Sequence, residues 1–371
     1  MTNFIFHIGP IKTGSTSIQS FLEQQQSASP VLAYKRIPPR WFFGLAASET
    51  RKDSFQYFRN LYQRKLRSKK RISTLVLSHE CMYQRPECIP FLIDTIDKIA
   101  NKTCFIAYIR RQSRHYCSHF SQFLYFDLGM QRKIEKCFTE NSLLIENYTG
   151  LEAFLISLVI SDFNVVKRGK SAEYQDWTRM IEIDQSLRAK ACHLDLGLIP
   201  SRQHDVNLIE DFCKRTGINN FLELSAIRDV RIHGSLPDVA VELLYQAYRE
   251  GFKISAKKPE HLSCYKAFRR QEFRNNSLKI HDPDLIEELL DYIDNHYVEA
   301  NNQVCRYFGL SNEYFTPKRY VDKKSAIRVI KNIDQNRRNN HSERIQLKNK
   351  ILCECARYFT INSISQWSTK S

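Results

Sequence analysis

Within eight residues, Gly9-Pro-Ile-Lys-Thr-Gly-Ser-Thr16 gathers two glycines, a lysine and three hydroxyl side chains. An apolar run, Phe4 to Ile8, precedes it, and Ile18, Phe21 and Leu22 follow at helical spacing. The order is therefore buried strand, glycine-bearing turn, helix. Such a turn aims backbone N–H groups and the positive end of a helix dipole at one spot, which suits a phosphate. In a nucleoside-triphosphate P-loop the lysine directly follows the second glycine. Here Ser15 holds that place and the lysine is Lys12, inside the loop. The shift argues against an ordinary ATPase or GTPase.

Two further strands end in residues able to do chemistry. Thr74 to Ser78 runs into His79 and Glu80, and Thr103 to Ile109 runs into Arg110. Ligands of open α/β sheets bind outside the carboxyl ends of the strands, so Gly9, Glu80 and Arg110 are predicted to converge on one crevice. Neighbours on an extended strand point to opposite faces, so only one of His79 and Glu80 reaches an acceptor. Either can take a proton. Their structural alternatives are a core histidine bonded to backbone and a salt bridge from Glu80 to Arg85.

The text His7-Ile-Gly-Pro-Ile-Lys-Thr-Gly-Ser-Thr-Ser17 resembles the 5′-phosphosulfate loop of sulfotransferases that use 3′-phosphoadenosine-5′-phosphosulfate (PAPS). The likeness is greatest to bacterial carbohydrate and polysaccharide types, with Ser15 in place of a threonine. In that family a strand ends in an arginine, and a serine eight residues later opens a helix; together they hold the 3′-phosphate. Arg110 and Ser118 stand at that spacing, and a dianionic phosphate needs such a guanidinium fork with added donors. Arg111 and Arg114 either add charge there or face solvent. Fainter similarities continue at Asp211 to Gly217, His233 to Pro237 and Asn301 to Gly309.

The resemblance implies that Lys12, Thr13, Gly14, Ser15 and Thr16 hold the 5′-phosphosulfate while Arg110 and Ser118 hold the 3′-phosphate. It also implies in-line sulfuryl transfer to a carbohydrate hydroxyl, of a bacterial surface polysaccharide or its precursor, without a metal. Glycan-modifying members place a glutamate after the second strand and small-molecule members a histidine, which makes Glu80 the favoured base and His79 its rival. Two other readings are a kinase-like P-loop phosphotransferase and a non-catalytic glycan- or membrane-binding protein. Pro38 to Phe58 and Glu135 to Gly150 are candidate acceptor loops.

The elements that must position these residues follow from composition and pattern. The 371-residue chain has a 42% hydrophobic fraction, which suits a packed fold. A formal net charge of +16 favours anionic partners: a nucleotide, an acidic glycan, nucleic acid or an anionic membrane face. Zinc-finger spacing, RNP-like aromatics and a helix-turn-helix are all missing, which sets nucleic acid aside. The 11 cysteines contain no CxxC pair, and Asn3 to Ile8 reads directly as a strand with no leader before it. Structural thiols and a cytoplasmic location are expected, with room for contact at the inner membrane face. Leu151 to Ile160 is the longest apolar run and falls short of a membrane span.

The fold class predicted is α/β: a P-loop-like, mostly parallel sheet flanked by helices, with a largely helical C-terminal part. Strands are expected at Phe4 to Ile8, Thr74 to Ser78 and Thr103 to Ile109, plus one of Phe163 to Lys167 and Leu194 to Ile199. Helices are expected at Pro90 to Asn101, Val206 to Thr216, Pro237 to Gly251 and Pro283 to Phe308. A sulfotransferase domain is assigned to residues 1–316. Residues 317–371 form a basic, partly helical tail, read as a solvated helix or frayed end, with a clamp on acidic glycan or anionic membrane as the alternative.

Overall fold

Thr2–His7 carries the apolar centre Phe4, Ile5 and Phe6, and it forms β1, a strand buried on both sides at that centre. The computed structural model describes residues 2–10, 13–29, 31–36, 72–78, 86–96, 100–122, 127–166, 176–199, 207–218, 236–249 and 280–340, with single residues at 56, 60, 83, 342, 346, 349 and 353. After β1 come α1 (Ser15–Ala28), β2 (Leu32–Arg36), β3 (Thr74–Ser78), α2 (Ile89–Ile96), β4 (Ala100–Ile109), α3 (Gln112–Phe120) and α4 (Leu128–Glu140). There follow α5 (Gly150–Ile160), α6 (Arg179–Arg188), β5 (Leu194–Leu198), α7 (Leu208–Thr216), α8 (Asp238–Arg249), α9 (Pro283–His296), α10 (Val298–Phe308) and α11 (Lys323–Asn339).

The chain divides into two compact units, one of residues 1–110, 177–233 and 300–312, the other of 111–176, 234–299 and 313–371. The first unit is an α/β layer. Its five strands are all parallel, in the order β2-β3-β1-β4-β5, and are flanked by helices. On one face Ile5, Val76, Ile106 and Tyr108 pack with Ile18, Phe21 and Leu22 of α1 and Ile209 and Phe212 of α7. The opposite face carries Phe4, Phe6 and Phe105, all fully buried, with the last two rings stacked at 5.0 Å. Gly197 of β5 lies opposite Tyr108 in the register, and a Cβ there would meet the Tyr108 ring at 2.5 Å.

The second unit is helical, built around α5. This helix is apolar on all sides and buried along almost its whole length, and α3, α4, α8, α9 and α11 pack against it or around it. A capping box starts it: the Thr149 hydroxyl accepts from the Glu152 N–H, and the Glu152 carboxylate accepts from the Thr149 N–H. No helix among the described residues is long and apolar enough to cross a membrane.

Several sequence-based boundaries change. The helix expected to reach Asn101 ends at Ile96, because β1 pairing recruits Ala100 and Lys102 into β4. Of the two ambiguous segments, Leu194–Leu198 is the strand and residues 163–166 form a turn. The helix expected over Pro283 to Phe308 breaks at Tyr297. The Glu135 to Gly150 segment is no open loop, since α4 and a 3-10 turn at Ile145–Asn147 fill most of it. Pro38 to Phe58 lies outside the described residues except for Gln56. In the basic C-terminal segment, α11 is not a solvated helix: Ala326, Ile330 and Asp334 are buried in the second unit.

Candidate functional site

β1 lies centrally, hydrogen-bonded to β3 on one side and β4 on the other. From β1 the chain leaves towards β2 and β3, whereas from β4 it continues to β5 on the other side. The direction of winding therefore reverses between β1 and β4, and the carboxyl ends of those two strands flank the crevice where such sheets bind ligands. His7 to Pro10, Ser78 and Arg110 all lie at that edge.

The β1–α1 junction is a tight turn. The Thr13 hydroxyl donates to the Pro10 carbonyl at 2.7 Å. Gly14 then takes the left-handed conformation (φ 82°) as N-cap of α1 and supplies no capping side chain. Its carbonyl accepts from the N–H groups of both Ser17 and Ile18, at 3.0 and 3.2 Å. The amides of Ser15 and Thr16 have no acceptor within the helix, as at any helix start. Ser15 is only 2% exposed, yet its hydroxyl has no hydrogen-bond partner among the described residues. Amides at a dipole's positive end beside an orphaned hydroxyl suit an anion's oxygens.

Beneath this turn lies a polar cluster in an otherwise apolar layer. His7 Nδ1 is 2.9 Å from Ser78 Oγ, and Gln19 of α1 donates from its side-chain amide to the same oxygen at 3.0 Å. Burial lowers the His7 pKa to about 4, so the imidazole is neutral at physiological pH. Its second nitrogen, Nε2, has no hydrogen-bond partner among the described residues. These three residues received no role from sequence reasoning, although a histidine inside the apolar run Phe4 to Ile8 was the available signal.

Of the residues singled out in the sequence, Thr13, Gly14, Ser15 and Thr16 form the turn just described. Arg110 follows β4 directly, beside β1, and its carbonyl accepts from the Trp177 indole N–H at 2.9 Å. Ser118 belongs to the second unit and does not open a helix: α3 starts at Gln112, and Ser118 is in its second turn. The residue count from Arg110 is as expected, but the chain enters the helix sooner because Asp294 holds its start. Lys12, His79 and Glu80, and Arg85 with them, lie outside the described residues.

Arg111 neither faces solvent nor stands free to bind phosphate. Its Nε lies 3.3 Å from Asp294 Oδ2, and the guanidinium donates to the Thr316 carbonyl. Asp294 also accepts from the Ser113 N–H and hydroxyl. Burial raises its pKa to about 6, against the opposing pull of Arg111 and the Ser113 hydrogen bonds. Arg114 is exposed. Among the described residues no group of three His, Cys, Asp or Glu side chains could hold a metal ion. Comparison with protein-family models, with curated proteins and with solved structures finds no match to this chain.

Proposed function

We propose that this chain is a PAPS-dependent sulfotransferase acting on a hydroxyl of a carbohydrate, and that its sheet is of the P-loop-like kind. The observation that carries the reading is the β1–α1 turn, which combines helix-start amides having no acceptor within the helix with a buried Ser15 hydroxyl having no partner among the described residues, at the winding reversal of a parallel sheet. The displaced lysine turns a general phosphate site towards phosphosulfate.

In this reading PAPS is the donor and supplies an activated sulfuryl group. Thr13 to Thr16 bind its 5′-phosphosulfate through backbone amides and hydroxyls. Lys12 neutralises charge on the departing 5′-phosphate, and fixed donors of this kind are generally the largest catalytic contribution. Arg110 binds the 3′-phosphate, and Ser118 matches the family's second 3′-phosphate residue by its sequence spacing alone. Glu80 removes the acceptor proton, with His79 as the alternative. A cytoplasmic setting belongs to the same proposal, and the eight described cysteines are all free thiols. A bacterial surface polysaccharide or its precursor is the acceptor class proposed. Contact of the basic C-terminal segment with acidic glycan or anionic membrane is a subsidiary part.

Calorimetric titration with 3′-phosphoadenosine-5′-phosphate beside ATP tests the reading. Binding of the bisphosphate at least about 10-fold tighter than ATP is the expected result, a gap of about 1.4 kcal/mol. Tighter binding of ATP would point to a phosphotransferase, and binding of neither to a non-catalytic protein.

A further inference from the structure

His7 is 1% exposed, and its Nε2 has no hydrogen-bond partner among the described residues. Neutral imidazole carries one N–H and one bare nitrogen, and the position of the proton is set by what the other nitrogen meets. On the Nδ1 side stands Ser78 Oγ, which already accepts from Gln19. A serine hydroxyl has a single proton to give. The arrangement in which Ser78 both accepts and spends its own proton within the cluster runs in one direction: the Gln19 amide donates to Ser78 Oγ, and Ser78 donates to His7 Nδ1. The imidazole proton is then on Nε2, as a buried donor without an acceptor among the described residues.

That donor is aimed at the turn. A Cβ built on Gly9, the first residue of the turn, would stand 3.4 Å from His7 Nε2 and 3.0 Å from Thr13 Oγ1. Two polar atoms thus close in on the spot that Gly9 leaves open, and the buried Ser15 hydroxyl begins the helix just beyond. Among the described residues the groups facing His7 are Ser78 of β3, Gln19 of α1, the Tyr108 ring of β4 at 6.4 Å and the Phe212 ring of α7 at 6.0 Å. None of these four is charged, and burial keeps the imidazole neutral near pH ~7.

We infer that His7 is an anion-binding residue of this site: its Nε2–H, oriented by the Gln19–Ser78 relay, and the Ser15 hydroxyl donate to oxygens of the group held in the β1–α1 turn. This rests on the phosphosulfate-loop reading for the identity of the ligand, and it adds a neutral donor reaching the anion from within the sheet. A buried donor with no acceptor is costly to leave unmade, so ligand binding repairs a defect that the ligand-free fold carries. Specificity follows. A dianion is already served by Lys12 and the helix dipole, and an uncharged donor favours an oxyanion of any charge over a repelling or bulky group.

Nitrogen-15 NMR of histidine-labelled protein reads the tautomer directly, with the His7 signals assigned by their loss in His7→Asn. Should that variant fail to fold, Overhauser contacts to the Phe212 and Tyr108 ring protons give the assignment. The expected result is an Nε2–H tautomer whose proton moves downfield and exchanges more slowly when 3′-phosphoadenosine-5′-phosphate is added. Calorimetry on folded His7→Asn should show affinity for the bisphosphate reduced about 10-fold or more. A proton on Nδ1, or an Nε2 proton unmoved by saturating ligand, overturns the inference, as does wild-type affinity in His7→Asn. If the bisphosphate does not bind the wild type, it is the sulfotransferase reading that fails. Inorganic pyrophosphate then becomes the probe, and the same movement or stillness of the Nε2 proton decides the role of His7.

Discussion

Asp294 accepts both the backbone N–H and the hydroxyl of Ser113, at 3.1 and 2.8 Å, and so caps the start of α3 from a helix 181 residues away in sequence. The same carboxylate takes Arg111 at 3.3 Å. Arg111 and Ser113, the first and third residues after Arg110, are therefore held by one buried acid.

This acid should be visible in the pH dependence of stability. Its folded-state pKa, about 6, is above the ordinary value of 3.8, chiefly through burial. The folded state then binds more protons than the unfolded one between those values, so the stabilisation is complete below pH ~3.8 and is lost as pH rises through ~6. A shift of this size corresponds to about 3 kcal/mol. Unfolding free energies of the wild type minus those of Asp294→Asn, measured in denaturant from pH 4 to 7, should fall by that order across the window. A flat difference would count against the assignment.

Gly14→Ala should damage the turn twice over. Its φ of 82° disfavours any side chain, and a Cβ there would run into Leu208 Cδ2. The expected loss of stability is about 1–3 kcal/mol, read by thermal unfolding. Affinity for the bisphosphate should fall with it, because the same distortion moves the Ser15 and Thr16 amides.

Arg337→Ala should destabilise the second unit strongly. Glu152, 1% exposed, takes both guanidinium nitrogens of Arg337, at 3.0 and 3.2 Å, and also the N–H groups of Thr149 and Asp282. Removing the arginine leaves a buried carboxylate without its counter-charge, for an expected loss of about 3–5 kcal/mol. Arg337→Lys should not restore the wild type, because a single ammonium cannot fork to both oxygens. Truncation after Pro317 should be worse still, since it also strips Ala326 and Ile330 from the core; a cooperative melt like the wild type's would show the segment to be dispensable.

Why the last helix looked like a solvated end is a matter of proportion. Lys323, Lys324, Arg328, Lys331, Arg337 and Arg338 dominate its composition, while a narrow stripe of Ala326, Ile330 and Asp334 does the packing. β1 and β3 were legible because a doubly covered parallel strand must be apolar throughout. β2, Leu32–Arg36, was missed: among the described strands it pairs only with β3, and it ends in Lys35 and Arg36, which break the apolar run. The turn from Gly9 to Thr16 was legible because glycine and hydroxyl spacing is local chemistry. Asp294 and Gln19 were not, because what matters about them is whom they meet, over 181 and 59 residues of separation.

Lys12 and Arg110 should differ in the kinetic constant they control. In the proposed reaction Lys12 answers charge that develops as the 5′-phosphate departs, so Lys12→Ala should lower kcat far more than it weakens nucleotide binding. The 3′-phosphate does not react. Arg110→Ala should therefore raise KM for PAPS and weaken the bisphosphate, with kcat little changed at saturation. Unchanged turnover in Lys12→Ala would remove the lysine from the mechanism, and intact bisphosphate affinity in Arg110→Ala would refute the 3′-phosphate assignment.

The proton acceptor is decided by two neighbouring substitutions. Ser78 ends β3 in hydrogen-bonding contact with His7, which fixes the strand end two residues before Glu80 in sequence. Glu80→Gln keeps the size and much of the hydrogen bonding of the side chain while removing its basicity. If Glu80 is the base, sulfuryl transfer from PAPS should slow by roughly 10²- to 10⁴-fold with bisphosphate affinity preserved. His79→Asn should then cost little beyond packing, because a single base suffices to take the acceptor proton. Affinity serves as the control, since a variant that loses both turnover and nucleotide binding has lost the fold of the site rather than its base. A near-normal Glu80→Gln enzyme beside an inactive His79→Asn enzyme would transfer the role to the imidazole, and with it the reading of the acceptor, from the glycan-modifying pattern to the small-molecule one.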